Sequence, residues 1–163
     1  MKAERTLVLV RHADAEPAGG GPDLERSLTP HGQQQARRVA ENWINSGGEA
    51  ALLISSPARR ALQTAEFFAR ALQISGDEIR IEQALYWDDG TRSQLALIRD
   101  LPESGSSVCL FGHNPTFTEL GALLSAGPSP SLPKGGLLAL RLAAGRWTET
   151  GPGCARIVTF FRP

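Results

Sequence analysis

Cysteine and net charge are both scarce in this chain. Its two cysteines, Cys109 and Cys154, stand far apart in apolar, strand-like contexts, with no ligand residues clustered near either. That spacing argues against a disulfide framework or a cysteine-based metal site, and leaves two free thiols expected to be buried. Lysine plus arginine and aspartate plus glutamate each number 17, so no net field draws the chain toward nucleic acid or an acidic membrane. Any anion binding must come from a few cations placed close together. Apolar runs fall far short of the ~20 residues a membrane helix needs. The opening residues Met1 to Arg5 carry both signs ahead of a strand too short for a signal-peptide core. A cytoplasmic protein with no membrane or nucleic-acid partner is the expectation.

What is present is the material for one ordinary core. The chain has 163 residues, 41% of them hydrophobic, which fits a single domain over 1–163. Its clearest element is Thr6-Leu7-Val8-Leu9-Val10-Arg11-His12-Ala13. The apolar run is too short for a helix and rich in β-formers, so it reads as a buried strand. Arg11 and His12 then stand at the carboxyl end of a central strand, where open α/β sheets form their ligand crevice. Taken alone, the pair fits two readings: an anion site with a nucleophile, or a capped strand end with a solvated arginine.

Downstream, helix and strand patterns alternate. A loop rich in Gly and Pro, 17–26, follows the first strand; it either edges the crevice or is simply solvated. Thr29 before Pro30 is an N-cap signal, and Ala36, Val39, Ala40, Trp43 and Ile44 give one helical face that stops at Gly47-Gly48. His31 falls in the first turn of that helix, exposed. A strand over 50–55 leads into Ser56-Pro57 and a second helix through Leu72, with Arg59 and Arg60 in its opening turn. A short strand over 78–82, a loop at 84–90 and a helix over 93–101 come next. Ser107 to Gly112 is a buried strand, His113 ends it, Asn114 is a good N-cap, and Pro115 opens a helix over 116–124. After a proline-rich turn at 127–133, strand-like runs at 136–142, 146–150 and 155–161 have hairpin spacing. The expected fold is α/β: a three-layer sandwich with a mostly parallel central sheet, helices on both faces and an antiparallel C-terminal edge.

Four segments carry a resemblance. Arg11-His12-Ala13, Leu28-Thr29-Pro30-His31-Gly32, Ser56-Pro57-Ala58-Arg59-Arg60-Ala61-Leu62-Gln63-Thr64 and Gly112-His113-Asn114-Pro115 occur in this order. Together they resemble the histidine phosphatase superfamily, also called phosphoglycerate mutase-like. The short length and Arg26-Ser27-Leu28-Thr29 look most like its small SixA-type branch of phosphohistidine phosphatases. The resemblance implies that His12 is a nucleophile forming a phosphohistidine that water hydrolyses. It implies that Arg11, Arg60 and a protonated His113 hold the phosphoryl oxygens. Asn114 and the helix behind it would add backbone N–H groups to the phosphate site. No metal and no cofactor enter that scheme.

The chemistry agrees with these residue types. A phosphoryl group is stabilised in transfer by cations placed around its equatorial oxygens, and arginine presents paired donors to them. A nucleophilic imidazole must be neutral, its second nitrogen usually held by a backbone carbonyl. The family pattern puts the second arginine at Arg60, leaving Arg59 as surface charge. One departure stands out. Many superfamily members place a carboxylic acid after the third strand to protonate the leaving oxygen, and that neighbourhood here is Leu85-Tyr86-Trp87. Asp88 and Asp89 are near, but turn chemistry beside Gly90 explains them equally. A phosphorylated imidazole needs less help to leave, and the chain lacks the length for insertions that enclose small substrates. The implied substrate is therefore phosphohistidine on a protein such as a phosphotransfer domain. A small phosphomonoester and a non-catalytic phosphate-binding module are the alternatives.

Overall fold

A computed structural model describes residues 4–143 and 145–163. Residues 1–3, part of the segment read above for a leader, and residue 144 lie outside it. Six strands form one sheet: β1 (Arg5–Arg11), β2 (Leu52–Ser55), β3 (Arg80–Ile81), β4 (Ser107–Gly112), β5 (Leu137–Leu142) and β6 (Ala155–Phe161), in the spatial order β3-β2-β4-β1-β5-β6. The neighbours β3, β2, β4 and β1 pair in parallel, while β5 runs antiparallel to both β1 and β6. The antiparallel part is therefore two strands deep, with β5 beside the central strand rather than at the rim.

Side-chain alternation along β1 divides the core in two. Val8 and Val10 face a cluster with Val39, Trp43, Phe68 and Phe111, drawn in part from helices α1 (Pro30–Asn45) and α2 (Arg59–Leu72). Leu7 and Leu9 face Ile98, Phe117, Leu120 and Trp147 on the other side, where α3 (Arg92–Arg99) and α4 (Thr116–Ser125) pack. Burial on both faces is why β1 reads as an unbroken apolar run instead of an alternating one. Among the described residues, no helix is long and apolar enough to cross a membrane.

The first turn of α1 is fixed to the end of β1 by residues of the second motif. Thr29 caps the helix by accepting from the Gly32 N–H at 3.0 Å, and its hydroxyl donates to the Asp14 carboxylate at 2.8 Å. A β-carbon on Gly32 would come within 1.9 Å of the Asp14 carbonyl oxygen, so only glycine permits this approach.

Three expectations need correcting. The run over 146–150 is not a strand: Trp147–Glu149 form a single 3-10 turn. Trp147 and Thr150 are the buried members, a spacing of three rather than two, and the Trp147 indole N–H donates to the Gly105 carbonyl. Helix α2 starts at Arg59, because Pro57 and Ala58 form a bend that the Ser56 hydroxyl holds by accepting from the Ala58 N–H. Both cysteines are free, but only Cys109 is buried; Cys154 is half-exposed.

Candidate active site

Strand register assembles the site. Arg11 pairs with Gly112 across β1 and β4, so the next residues, His12 and His113, emerge side by side. The His12 N–H donates to the Gly112 carbonyl at 3.0 Å, and the Ser56 N–H donates to the Phe111 carbonyl at 2.9 Å, extending the ladder one step past β1 and β2. A β-carbon on Gly112 would come within 2.7 Å of the Phe117 ring. The three carboxyl ends open into a cavity of about 570 Å³ whose walls include Arg11, His12, Arg60, His113 and Asn114.

His12 is 8% exposed. Its Nδ1 lies 2.7 Å from the Ala13 carbonyl oxygen, so Nδ1 carries the proton and donates, leaving the Nε2 lone pair unprotonated. Burial lowers its pKa to about 4; the Ala13 carbonyl opposes that shift, while the charges of Arg60, Arg11 and Arg26 add to it. The ring is neutral near neutral pH.

Arg60 is buried and Arg59 exposed, successive residues of α2 that face opposite ways. Thr64, one turn on, ties this turn to β1: its hydroxyl donates to the Arg60 carbonyl at 2.8 Å and accepts from the Ala13 N–H at 3.2 Å. Its neighbour Gln63 accepts from the Leu28 N–H at 2.8 Å. Arg11 donates through Nη1 to the Leu132 carbonyl at 2.9 Å, and the Asn114 amide donates to that same oxygen at 2.9 Å. The Asn114 carbonyl oxygen accepts from the Thr118 hydroxyl at 3.0 Å and from the Thr118 N–H at 3.3 Å. The Asn114 side chain is thus engaged within the protein, joining the start of α4 to the 127–133 turn.

His113 stands between the Ser56 hydroxyl and Arg60. Its Nε2 lies 2.8 Å from the Ser56 hydroxyl and its Nδ1 3.5 Å from Arg60 Nη2. Burial, then the neighbouring His12, Arg60 and Arg11, lower its pKa to about 3, with Asp23 opposing. The ring is therefore neutral near neutral pH, and an adjacent phosphoryl dianion is the kind of charge that would shift it toward protonation.

Several wall residues carried no signal in the four motifs. Arg26, Lys134, Ala15, Tyr86, Trp87 and Asp88 complete the cavity lining. Arg26 comes from the 17–26 loop, which edges the cavity instead of standing free in solvent. Lys134 is paired with Asp14 at 3.0 Å. Four cations thus line a cavity in a chain of zero net charge, and Asp88 is the one carboxylate in the lining named here. Asp89 instead accepts from the Ser93 hydroxyl in the first turn of α3.

Fold and site together define an α/β protein with a cationic pocket built around two facing histidines at the carboxyl edge of its sheet. The sequence model of the histidine phosphatase superfamily (branch 1) matches residues 7–86. Over those residues, just under half of the chain, the sequence is similar to that superfamily. A solved structure from Agrobacterium tumefaciens, provisionally named phosphohistidine phosphatase SixA, is 29% identical, with 98% of each chain covered and a TM-score of 0.75. A protein of the same provisional name from Nakamurella multipartitia is 28% identical over 98% of this chain and 96% of that one, also at 0.75. The uncharacterized protein Rv1276c of Mycobacterium tuberculosis is 28% identical over 94% of this chain and 99% of its own length.

Proposed function

We propose that this protein is a phosphatase that removes the phosphoryl group from phosphohistidine on a protein, through a covalent intermediate on His12. The observation that carries the reading is the state of His12: neutral, its Nδ1 proton held by the Ala13 carbonyl, its Nε2 unprotonated, in a cavity walled by Arg11, Arg60 and His113. In the first step Nε2 bonds to phosphorus as the substrate's N–P bond breaks. The substrate imidazole, protonated on its other ring nitrogen, leaves neutral. His12 then bears the phosphoryl group on Nε2 and a proton on Nδ1, so its ring is cationic and is itself a good leaving group. Water attacks phosphorus, inorganic phosphate departs, and neutral His12 returns with its Nδ1 proton in place. Arg11 and Arg60 hold the equatorial oxygens, and His113 takes up a proton as the dianion arrives. Two relatives bearing the SixA name over nearly the whole chain support the same substrate class.

The test is a panel of free phosphohistidine, a phosphorylated histidine phosphotransfer domain, and serine and sugar phosphates. The phosphotransfer domain is expected to be the best substrate, and preference for an alkyl phosphate would overturn the assignment.

One observation favours a second reading, a phosphatase for small phosphomonoesters. Asp88 lines the cavity, and a carboxyl group there is what an alkoxide leaving group needs. Under that reading Asp88→Asn lowers alkyl phosphate hydrolysis by ~10²-fold or more. Under the leading one it hardly alters phosphohistidine hydrolysis.

A further inference from the structure

The 17–26 loop places one carboxylate where three pocket side chains converge. Asp23 receives the Arg60 guanidinium twice, Nη1 donating to its main-chain carbonyl at 2.8 Å and Nη2 to Oδ2 at 3.1 Å. The Tyr86 hydroxyl donates to the same Oδ2 at 2.9 Å, and Arg26 Nε donates to Oδ1 at 3.0 Å. Both carboxylate oxygens are thus occupied, and the group that holds Arg60 is itself held from two further directions. Burial alone would raise the Asp23 pKa, but the bonds from Tyr86, Arg26 and Arg60 outweigh it and bring it to about 2. Arg60 is 5% exposed, shares a cavity wall with Arg11, Arg26 and Lys134, and lies beside a neutral His113. Like charges around it favour other rotamers of a long side chain, and Asp23 is its one ion-pair partner among the described residues.

We propose that Asp23 is a positioning residue: by clamping both Nη atoms from one side, it sets the plane of the Arg60 guanidinium toward a transferring phosphoryl group. This rests on the reading of the pocket as a phosphoryl site, but not on the identity of the leaving group. The loop acts through Arg60 and touches no reacting atom. Arg60 Nη1 has a second N–H beyond the one that the Asp23 carbonyl takes, so the clamped guanidinium keeps donor capacity that Asp23 does not use. Pre-set donors bind a developing charge without first having to reorganise, so losing the clamp costs both oxyanion affinity and turnover.

The experiment is a double-mutant cycle with orthovanadate as the oxyanion probe, read as Kd, alongside kcat and KM for an aryl phosphate. Asp23→Ala is expected to weaken vanadate binding about tenfold and to lower kcat more than it raises KM. Asp23→Asn, which keeps the main-chain contact and a side-chain acceptor, is expected to recover part of that loss. In an Arg60→Ala background, Asp23→Ala is expected to have no further effect. Far-UV circular dichroism and Tm of each variant separate this from unfolding. Additive losses in the double variant would overturn the proposal, because Asp23 would then act independently of Arg60. Tighter vanadate binding by Asp23→Ala would overturn it too, making the carboxylate a competing internal anion. Absence of vanadate binding by the unaltered protein would overturn the phosphoryl-site reading as well, whereas preference for an alkyl phosphate in the substrate panel would leave the clamp standing.

Discussion

The imidazole rings of His12 and His113 lie 5.2 Å apart, centroid to centroid, tilted by 55°. That relationship follows from one parallel register, since each ring belongs to the residue immediately after a paired position of β1 and β4. Both rings are neutral for shared reasons: burial, the cationic guanidiniums of Arg11 and Arg60, and for His113 the neighbouring ring itself.

The covalent step is directly observable. Rapid quenching with labelled substrate is expected to trap an acid-labile, base-stable phosphoryl adduct on His12, absent from His12→Ala. Full turnover by that variant would rule the mechanism out.

Arg60→Ala is expected to lower kcat/KM on the order of a hundredfold, about 3 kcal/mol of transition-state stabilisation. Arg59→Ala is expected to change it less than twofold, because Arg59 is exposed and outside the cavity. Equal effects would show that the wrong arginine has been assigned.

The pH dependence has a definite sign. His12 must be unprotonated to attack, so kcat/KM is expected to fall on the acid side as His12 protonates near pH 4, while the proton that His113 takes up with the dianion makes it fall again as pH rises. Stability carries the same mark. The His12 pKa is lowered on folding, so the unfolded chain binds the proton first. The stability contribution is complete above the unfolded value of ~6.5 and is lost as pH falls through the folded value near 4. Urea titrations of His12→Phe are expected to show a flatter stability profile across that window. A profile as steep as that of the unaltered protein would exclude His12 as a source of the slope.

Gly32→Ala tests the junction of α1 with β1. The added β-carbon meets the Asp14 carbonyl oxygen at 1.9 Å, and backbone rather than a flexible side-chain tip has to move. A destabilisation of about 1–3 kcal/mol is expected, several degrees in Tm. An unchanged Tm would mean that the helix start shifts without resistance.

The sequence exposed the parts of this structure that are made locally. Leu7 to Val10 announce a doubly buried strand because both faces are covered, and Thr29-Pro30 announce a helix start because cap and proline sit at neighbouring positions. The cavity's second half had no such signature. Tyr86, Lys134 and Asp23 lie in loops, and their meeting with Arg60 or His12 depends on where distant chain segments return. Hairpin spacing indicated antiparallel pairing near the C-terminus, yet it could not tell that β5 inserts beside β1. Trp147 shows the opposite failure: an isolated β-rich run imitated a strand when one large side chain was anchoring a turn.

Cys109 gives the molecule a built-in gauge. It lies in β4 between Val108 and Leu110, is fully buried, and has its thiol pushed well above the usual range by that burial. Alkylating reagents can reach it only when the α1 and α2 layer that covers it, with Val39, Trp43 and Phe68, comes away from the sheet. The half-exposed Cys154, in the same chain, supplies an internal comparison for reagent reactivity. The labelling rate at Cys109 therefore reports how often that layer, which carries Arg60, lifts from the sheet, and any bound oxyanion that bridges Arg60 to the strand ends should slow that clock.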